Sequence, residues 1–165
     1  MDSRRKFLQK ASVALGAFSI VPAHVLFAKP EIRNKEGEII RNAIFTPGEK
    51  VNLACVGIGN QGGSDVMSLY NTGLCNIVAL CDTDMGAKHT QKVLEKFPDV
   101  PRFQDFRVMF DKMAKQIDAV LVGVPDHSHF PITMLAMSLG KHVYVEKPMG
   151  RTFNEVELMT KGAKR

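Results

Sequence analysis

The chain has 165 residues, 45% hydrophobic and 24% charged, which is ordinary for a soluble globular protein and enough for one core, hardly two. Of the formal net charge of +5, Arg4, Arg5, Lys6 and Lys10 against Asp2 place +3 in the first 28 residues. The remaining +2 is too small to argue for a nucleic-acid partner.

The chain starts with the basic stretch DSRRKFLQK and continues with ASVALGAFSIV, eleven residues without a charge. That run is too short to span a bilayer as a helix, but it fits the apolar region of an export signal. Ser3-Arg4-Arg5-Lys6-Phe7-Leu8 resembles the twin-arginine motif, so residues 1–28 are expected to act as a signal read by the twin-arginine export machinery. The implied location is periplasmic, or membrane-anchored facing the periplasm. Val21-Pro22-Ala23 has acceptable cleavage residues, whereas Leu26-Phe27-Ala28 has a bulky one where a small one is expected, so an uncleaved anchor stays open. Residues 29–49 are mixed and charged, with Pro30, Gly37, Pro47 and Gly48 as breakers, and read as a linker.

From Val51 the pattern alternates. VNLACVGIG is a continuous apolar run rich in β-formers and stopped by glycine, SDVMSLYNTG has helical spacing, and NIVALCD is a second apolar run. MGAKHTQKVLEKF reads as a helix ended by Pro98, Arg102-Phe103-Gln104 as a short strand, and FRVMFDKMAK as a helix. The strand IDAVLVGVP follows, then the helix PITMLAMSLG with Pro131 near its first turn, and then HVYVEKP, whose first four residues read as a buried strand. Thr152 with Glu155 three residues on predicts a capping box for a last helix, which starts and leads nowhere. The expectation is an α/β fold, a doubly wound parallel sheet with helices on both faces over residues 50–150, with 151–165 the start of a truncated next helix. Cys55, Cys75 and Cys81 lack CxxC or metal-ligand spacing and read as buried thiols.

Gly57-Ile58-Gly59-Asn60-Gln61-Gly62 is G-x-G-x-x-G between an apolar strand and a helix. Gly57 permits the tight turn, Gly59 lets backbone approach a pyrophosphate, and Gly62 lets the helix pack on the strand, while the helix N–H groups face the phosphates. Asp82 ends the second strand twenty residues after Gly62, where a carboxylate accepts hydrogen bonds from the adenosine ribose. A 2′-phosphate would meet that charge with no arginine in Thr83-Asp84 to compensate, so NAD is expected over NADP. Pro125, Asp126, His127 and His129 crowd the end of the fourth strand, at the edge where open α/β sheets bind ligands. His127-x-His129 has no third ligand close by and reads as pocket lining rather than a metal site.

Together, the glycine turn, the strand-end acid, the Pro-Asp-x-x-His edge and Glu146-Lys147-Pro148 resemble the N-terminal Rossmann-type domain of the Gfo/Idh/MocA oxidoreductases. The resemblance spans about residues 50–160. It implies that Lys147 lies near the nicotinamide and the substrate hydroxyl, that the matched His129 belongs to the catalytic set, and that Glu146 positions the cofactor ribose and tunes Lys147. It implies NAD held by Gly57, Gly59, Asn60, Gln61, Gly62, Asp82, Pro125, Asp126, His127, Glu146 and Lys147. The implied substrate is a sugar, cyclitol or glycoside, and a homo-oligomer at full length stays open. Asp126 stands where the family often has Asn. The family's C-terminal α/β domain, which completes the substrate pocket, is absent from this sequence, so the 165 residues alone are expected to bind the dinucleotide weakly and to be inactive. Three readings stay open: an exported enzyme recycling a bound cofactor through 3-keto glycoside chemistry, a cytoplasmic NAD-dependent dehydrogenase, and a non-catalytic dinucleotide-binding module.

Overall fold

A computed structural model describes residues 49–164; the expected signal and nearly all of the expected linker lie outside them. Among the described residues five strands alternate with five α-helices: β1 Val51–Val56, α1 Asn60–Asn71, β2 Cys75–Cys81, α2 Gln91–Lys96, β3 Arg102–Phe103, α3 Phe106–Met113, β4 Ala119–Val122, α4 His129–Ser138, β5 His142–Val145 and α5 Phe153–Ala163. The strands form one sheet in the order β3-β2-β1-β4-β5, with every pair parallel. This is the doubly wound Rossmann arrangement.

The apolar runs become strands because both faces of the sheet are covered. Ala54, Val56, Val120 and Val122 pack against Met109, Phe110 and Met113 near α3 and Ile132 and Ala136 of α4. Leu53, Cys55 and Leu121 alternate with them and pack against Val66 of α1 and Val93, Leu94 and Phe97 at α2. Burial on this scale, about 1.5–3 kcal/mol for each large aliphatic side chain, fixes the register. Shifting a strand by one residue would exchange the two faces. Tyr70 and Phe97 meet edge to face with centroids 4.9 Å apart, joining α1 to α2.

Several element boundaries correct the sequence expectations. α1 starts at Asn60, on the glycine turn itself, rather than at Ser64. Of the helix expected over residues 85–97 only Gln91–Lys96 forms. Gly86 takes φ +92°, and the buried Thr90 hydroxyl accepts from the Gly86 N–H and donates to the Ala87 carbonyl. That closes a turn where the helix would have begun. β5, expected as a buried strand, is an edge strand that alternates, with Val143 and Val145 half-buried and His142 and Tyr144 exposed. Among the described strands only β4 pairs with it. The capping box of α5 forms as expected: Thr152 accepts from the Glu155 N–H, and Glu155 Oε2 accepts from the Thr152 N–H.

All three cysteines are free and buried, Cys55 in β1 and Cys75 and Cys81 at the two ends of β2. Burial raises the Cys55 and Cys75 thiols, and burial with Asp105 and Asp82 nearby pushes Cys81 up to about 12. They pack as small hydrophobes and hold no thiolate at neutral pH.

Candidate functional site

The register levels the ends of four strands. Val56 stands opposite Cys81 and Val122, and Val122 opposite Val145. The next residues, Asp82, Gly57, Gly123 and Glu146, therefore form a row across the carboxyl edge of the sheet. At about 4.8 Å between strands, the row from Asp82 to Glu146 is roughly 14 Å long. It crosses the β1/β4 boundary where the strand order reverses, the place where such sheets bind ligands.

At the centre of the row three glycines meet. Gly57 has φ +83°, and a Cβ there would come within 2.5 Å of the Gly123 carbonyl group. A Cβ on Gly62 would overlap the Gly57 carbonyl oxygen and lie 2.8 Å from that of Gly123, and one on Gly123 would lie 2.7 Å from the Gly62 Cα. The turn, the start of α1 and the end of β4 thus touch backbone to backbone. Gly123 is a member that G-x-G-x-x-G spacing does not reveal; its one sequence signal is the glycine interrupting the fourth apolar run.

α1 leaves this junction with no side-chain cap and no acid in its first turn. Asn60 takes the left-handed φ of +46°, and the Gln61 amide turns aside to Asp65 at 2.9 Å. Gln61 therefore offers backbone N–H rather than its side chain, and the positive end of the helix dipole adds to the attraction for an anion. A Cβ on Gly59 would overlap the ring of His89. That histidine, 3.6 Å from Asp84, covers one side of the glycine turn. A lone histidine in a polar loop gave no signal for this place.

At one end of the row, Asp82 accepts the Ile58 N–H on Oδ2 and the Asp84 N–H on Oδ1, both at 2.9 Å. The carboxylate is fixed by backbone, and each oxygen keeps a lone pair for a hydroxyl donor. At the other end, Glu146 extends the β5 ladder by donating its N–H to Val122 at 3.0 Å, and its Oε1 accepts from the Tyr144 hydroxyl at 3.0 Å. That bond and the charge of Glu146 raise the Tyr144 phenol. Asp65 of α1 feels the same charge: burial first, then Glu146, raise its carboxyl against the lowering bond from Gln61. Lys147 is exposed, its N–H lies 3.4 Å from Glu146 Oε2, and among the described residues no ion pair holds its ammonium. Pro125, Asp126 and His127, beyond the end of β4, are exposed, the last two in a single turn of 3-10 helix, Asp126–Ser128.

His129 differs from the expectation of a catalytic role. It opens α4 and is 1% exposed. Nδ1 lies 2.6 Å from the Pro148 carbonyl oxygen and Nε2 2.7 Å from that of Val124. With both nitrogens engaged by backbone, the ring has none left to face a substrate. It ties the end of β4 to the Glu146-Lys147-Pro148 loop, so its place is beneath the site.

The row fits an extended dinucleotide on its own geometry: a fixed acceptor at one end, a side-chain-free anion cradle in the middle, and an acid beside a free lysine at the far end. These features define a dinucleotide-binding Rossmann domain. Residues 51–165 match the Gfo/Idh/MocA oxidoreductase family, NAD-binding Rossmann fold, and the chain belongs to that family. It is 25% identical over 158 residues to a glycosyl hydrolase family 109 protein of Shewanella amazonensis, covering 93% of this chain and 35% of that protein. The chain thus spans about a third of the length of the curated relatives it matches. Among solved structures it resembles a dehydrogenase from Chromobacterium violaceum, with 32% identity, TM-score 0.63, and 70% of this chain and 33% of that one covered. It also resembles a myo-inositol 2-dehydrogenase from Lactobacillus plantarum, with 28% identity, TM-score 0.59, and 70% and 33% covered.

Proposed function

We propose that the chain is the NAD-binding part of an exported oxidoreductase that acts on a glycoside or related sugar without net consumption of its cofactor. The observation that supports the dinucleotide-binding part of this reading is the row itself, with Asp82 at one end of the glycine junction and Glu146, followed by the exposed Lys147, at the other. NAD, when bound, supplies a reversible hydride acceptor. The glycine turn and the start of α1 would hold its diphosphate and Asp82 its adenosine ribose. Glu146 would orient the other ribose, with Pro125, Asp126 and His127 as further contacts, and Lys147 would bring an ammonium to the substrate hydroxyl, where it would stabilise developing alkoxide or return a proton to a carbonyl.

The sugar class is supported by the relatives, a family 109 glycosyl hydrolase and a myo-inositol dehydrogenase among them. An enzyme that leaves the cytoplasm loses contact with its NAD pool, which favours a cofactor loaded before export and regenerated within each turnover. A cytoplasmic dehydrogenase with exchangeable NAD is the alternative supported by the dehydrogenase neighbours.

Native mass spectrometry of the complete protein, purified from the exported fraction, separates the two. The proposal expects one NAD retained per chain, in equal amount before and after turnover on a glycoside. Protein confined to the cytoplasm, with NAD lost on dilution, overturns the exported, recycling reading.

A further inference from the structure

We propose that His89 is a further residue of the dinucleotide site, standing over Gly59 so that its imidazole donates a hydrogen bond to the diphosphate. The contact rests on the function proposed above and adds to it a side chain that the glycine turn does not include. Gly59 takes φ −96° and ψ 160°, a conformation open to any residue, so its backbone does not require glycine. The three nearest atoms to a Cβ at that position all belong to His89: the Cβ would overlap the imidazole Cδ2 and lie 3.1 Å from Nε2. The imidazole thus covers the face of Gly59 that a second glycine ordinarily leaves open to a pyrophosphate.

The loop that carries the ring is fixed. Thr90, the next residue, is fully buried, and its hydroxyl accepts from the Gly86 N–H and donates to the Ala87 carbonyl, while the Ala87 N–H donates to the Asp84 carbonyl. The Asp84 carboxylate lies 3.6 Å from His89 Nε2, and the Asp84 N–H donates to Asp82, whose other oxygen accepts from Ile58. Ile58, Asp82, Asp84, His89 and Gly59 therefore close a circuit of contacts around the proposed ribose acceptor. A separation of 3.6 Å is too long for a hydrogen bond. Among the described residues neither ring nitrogen makes one, and 35% of the side chain is exposed. Imidazole has an N–H to donate in either tautomer and in either charge state, so the contact does not depend on the state of the ring. An anion seated on the free N–H groups that start at Asn60 lies one residue from it. With the Gln61 amide turned aside to Asp65, His89 brings a side-chain donor to a cradle built from backbone.

The test is calorimetric titration of the complete protein with NAD and with ADP, which keeps the adenosine and two phosphates. His89→Phe leaves a flat ring over Gly59 and removes both nitrogens. It is expected to weaken both ligands about tenfold, the effect of losing one hydrogen bond to a charged group, with the melting temperature held within about 2 °C. His89→Gln, which keeps a donor, is expected to bind both more tightly than His89→Phe. Gly59→Ala is expected to push the imidazole aside and to weaken NAD about as much as His89→Ala does, with the double variant no weaker than either single one. Losses that add in full would show that Gly59 serves the diphosphate without His89, and would overturn the shared role. NAD and ADP affinities unchanged in His89→Phe, or a loss for NAD with none for ADP, overturn the contact. Wild-type protein that binds neither ligand would fail the proposed function and this contact with it, whereas wild-type binding that His89→Phe leaves intact fails the contact alone.

Discussion

Gly62→Ala is expected to lower the melting temperature by about 10 °C and to abolish NAD binding. In an ordinary helix this exchange stabilises by about 1 kcal/mol. Here the new methyl would overlap the Gly57 carbonyl oxygen and crowd that of Gly123, and both atoms belong to backbone that cannot rotate away. Overpacking typically costs about 1–3 kcal/mol, and more of it falls due where no side chain can yield, so the clash outweighs the propensity gain. A net loss near 2 kcal/mol corresponds to roughly 10 °C in a domain of this size. Relief can come only by parting α1 from the β1/β4 junction, which moves the helix N–H groups out of the cradle. Calorimetry with an NAD titration checks both effects, with Ser64→Ala on the same helix as control. Ser64 is exposed and its hydroxyl bonds only the Asn60 carbonyl, so that change stays within about 0.5 kcal/mol.

Lys147→Ala in the complete protein is expected to reduce turnover of the proposed sugar substrate by about 10²–10⁴-fold, the usual range for losing a positioned proton donor or acceptor. NAD affinity should stay within a few-fold, because the glycine turn and Asp82 are untouched. Lys147→Arg should restore little: the guanidinium stays protonated and planar, so it can neither exchange a proton nor occupy the place of a compact ammonium. Turnover on a panel of sugars and glycosides, measured beside NAD binding, checks this. Unchanged turnover would remove the lysine from the chemistry and favour a module that only binds the dinucleotide.

Much of this architecture is legible in the sequence because the strongest signals are also the dominant energies. The apolar runs around Leu53–Val56, Ile77–Cys81 and Val120–Val122 can be buried on two faces only in a covered parallel sheet, and the glycine spacing marks where β1 meets α1. Less legible are features set by tertiary partners. Gly123 is needed because Gly57 and Gly62 approach it from another part of the chain. His89 reaches Gly59 only because the Gly86–Thr90 turn replaces the helix that the periodicity suggested. The exposure of alternate β5 residues follows from its place at the sheet edge, which hydrophobicity alone does not encode. His129 reads from sequence as a polar group at a functional edge. Only the positions of the Val124 and Pro148 carbonyls show that both its nitrogens are spent within the protein.

The central claim is that NAD lies along the row from Asp82 to Glu146, and the most direct test is a titration of the 15N-labelled chain with NAD followed by amide shifts. The account predicts saturable changes at Gly57–Gly62, Asp82–Asp84, Gly123–His127 and Glu146–Lys147. In Asp82→Ala, where the proposed charged acceptor of the ribose is lost, the affinity should fall about tenfold to a hundredfold. Shifts confined to another surface, or an affinity indifferent to Asp82, would contradict it.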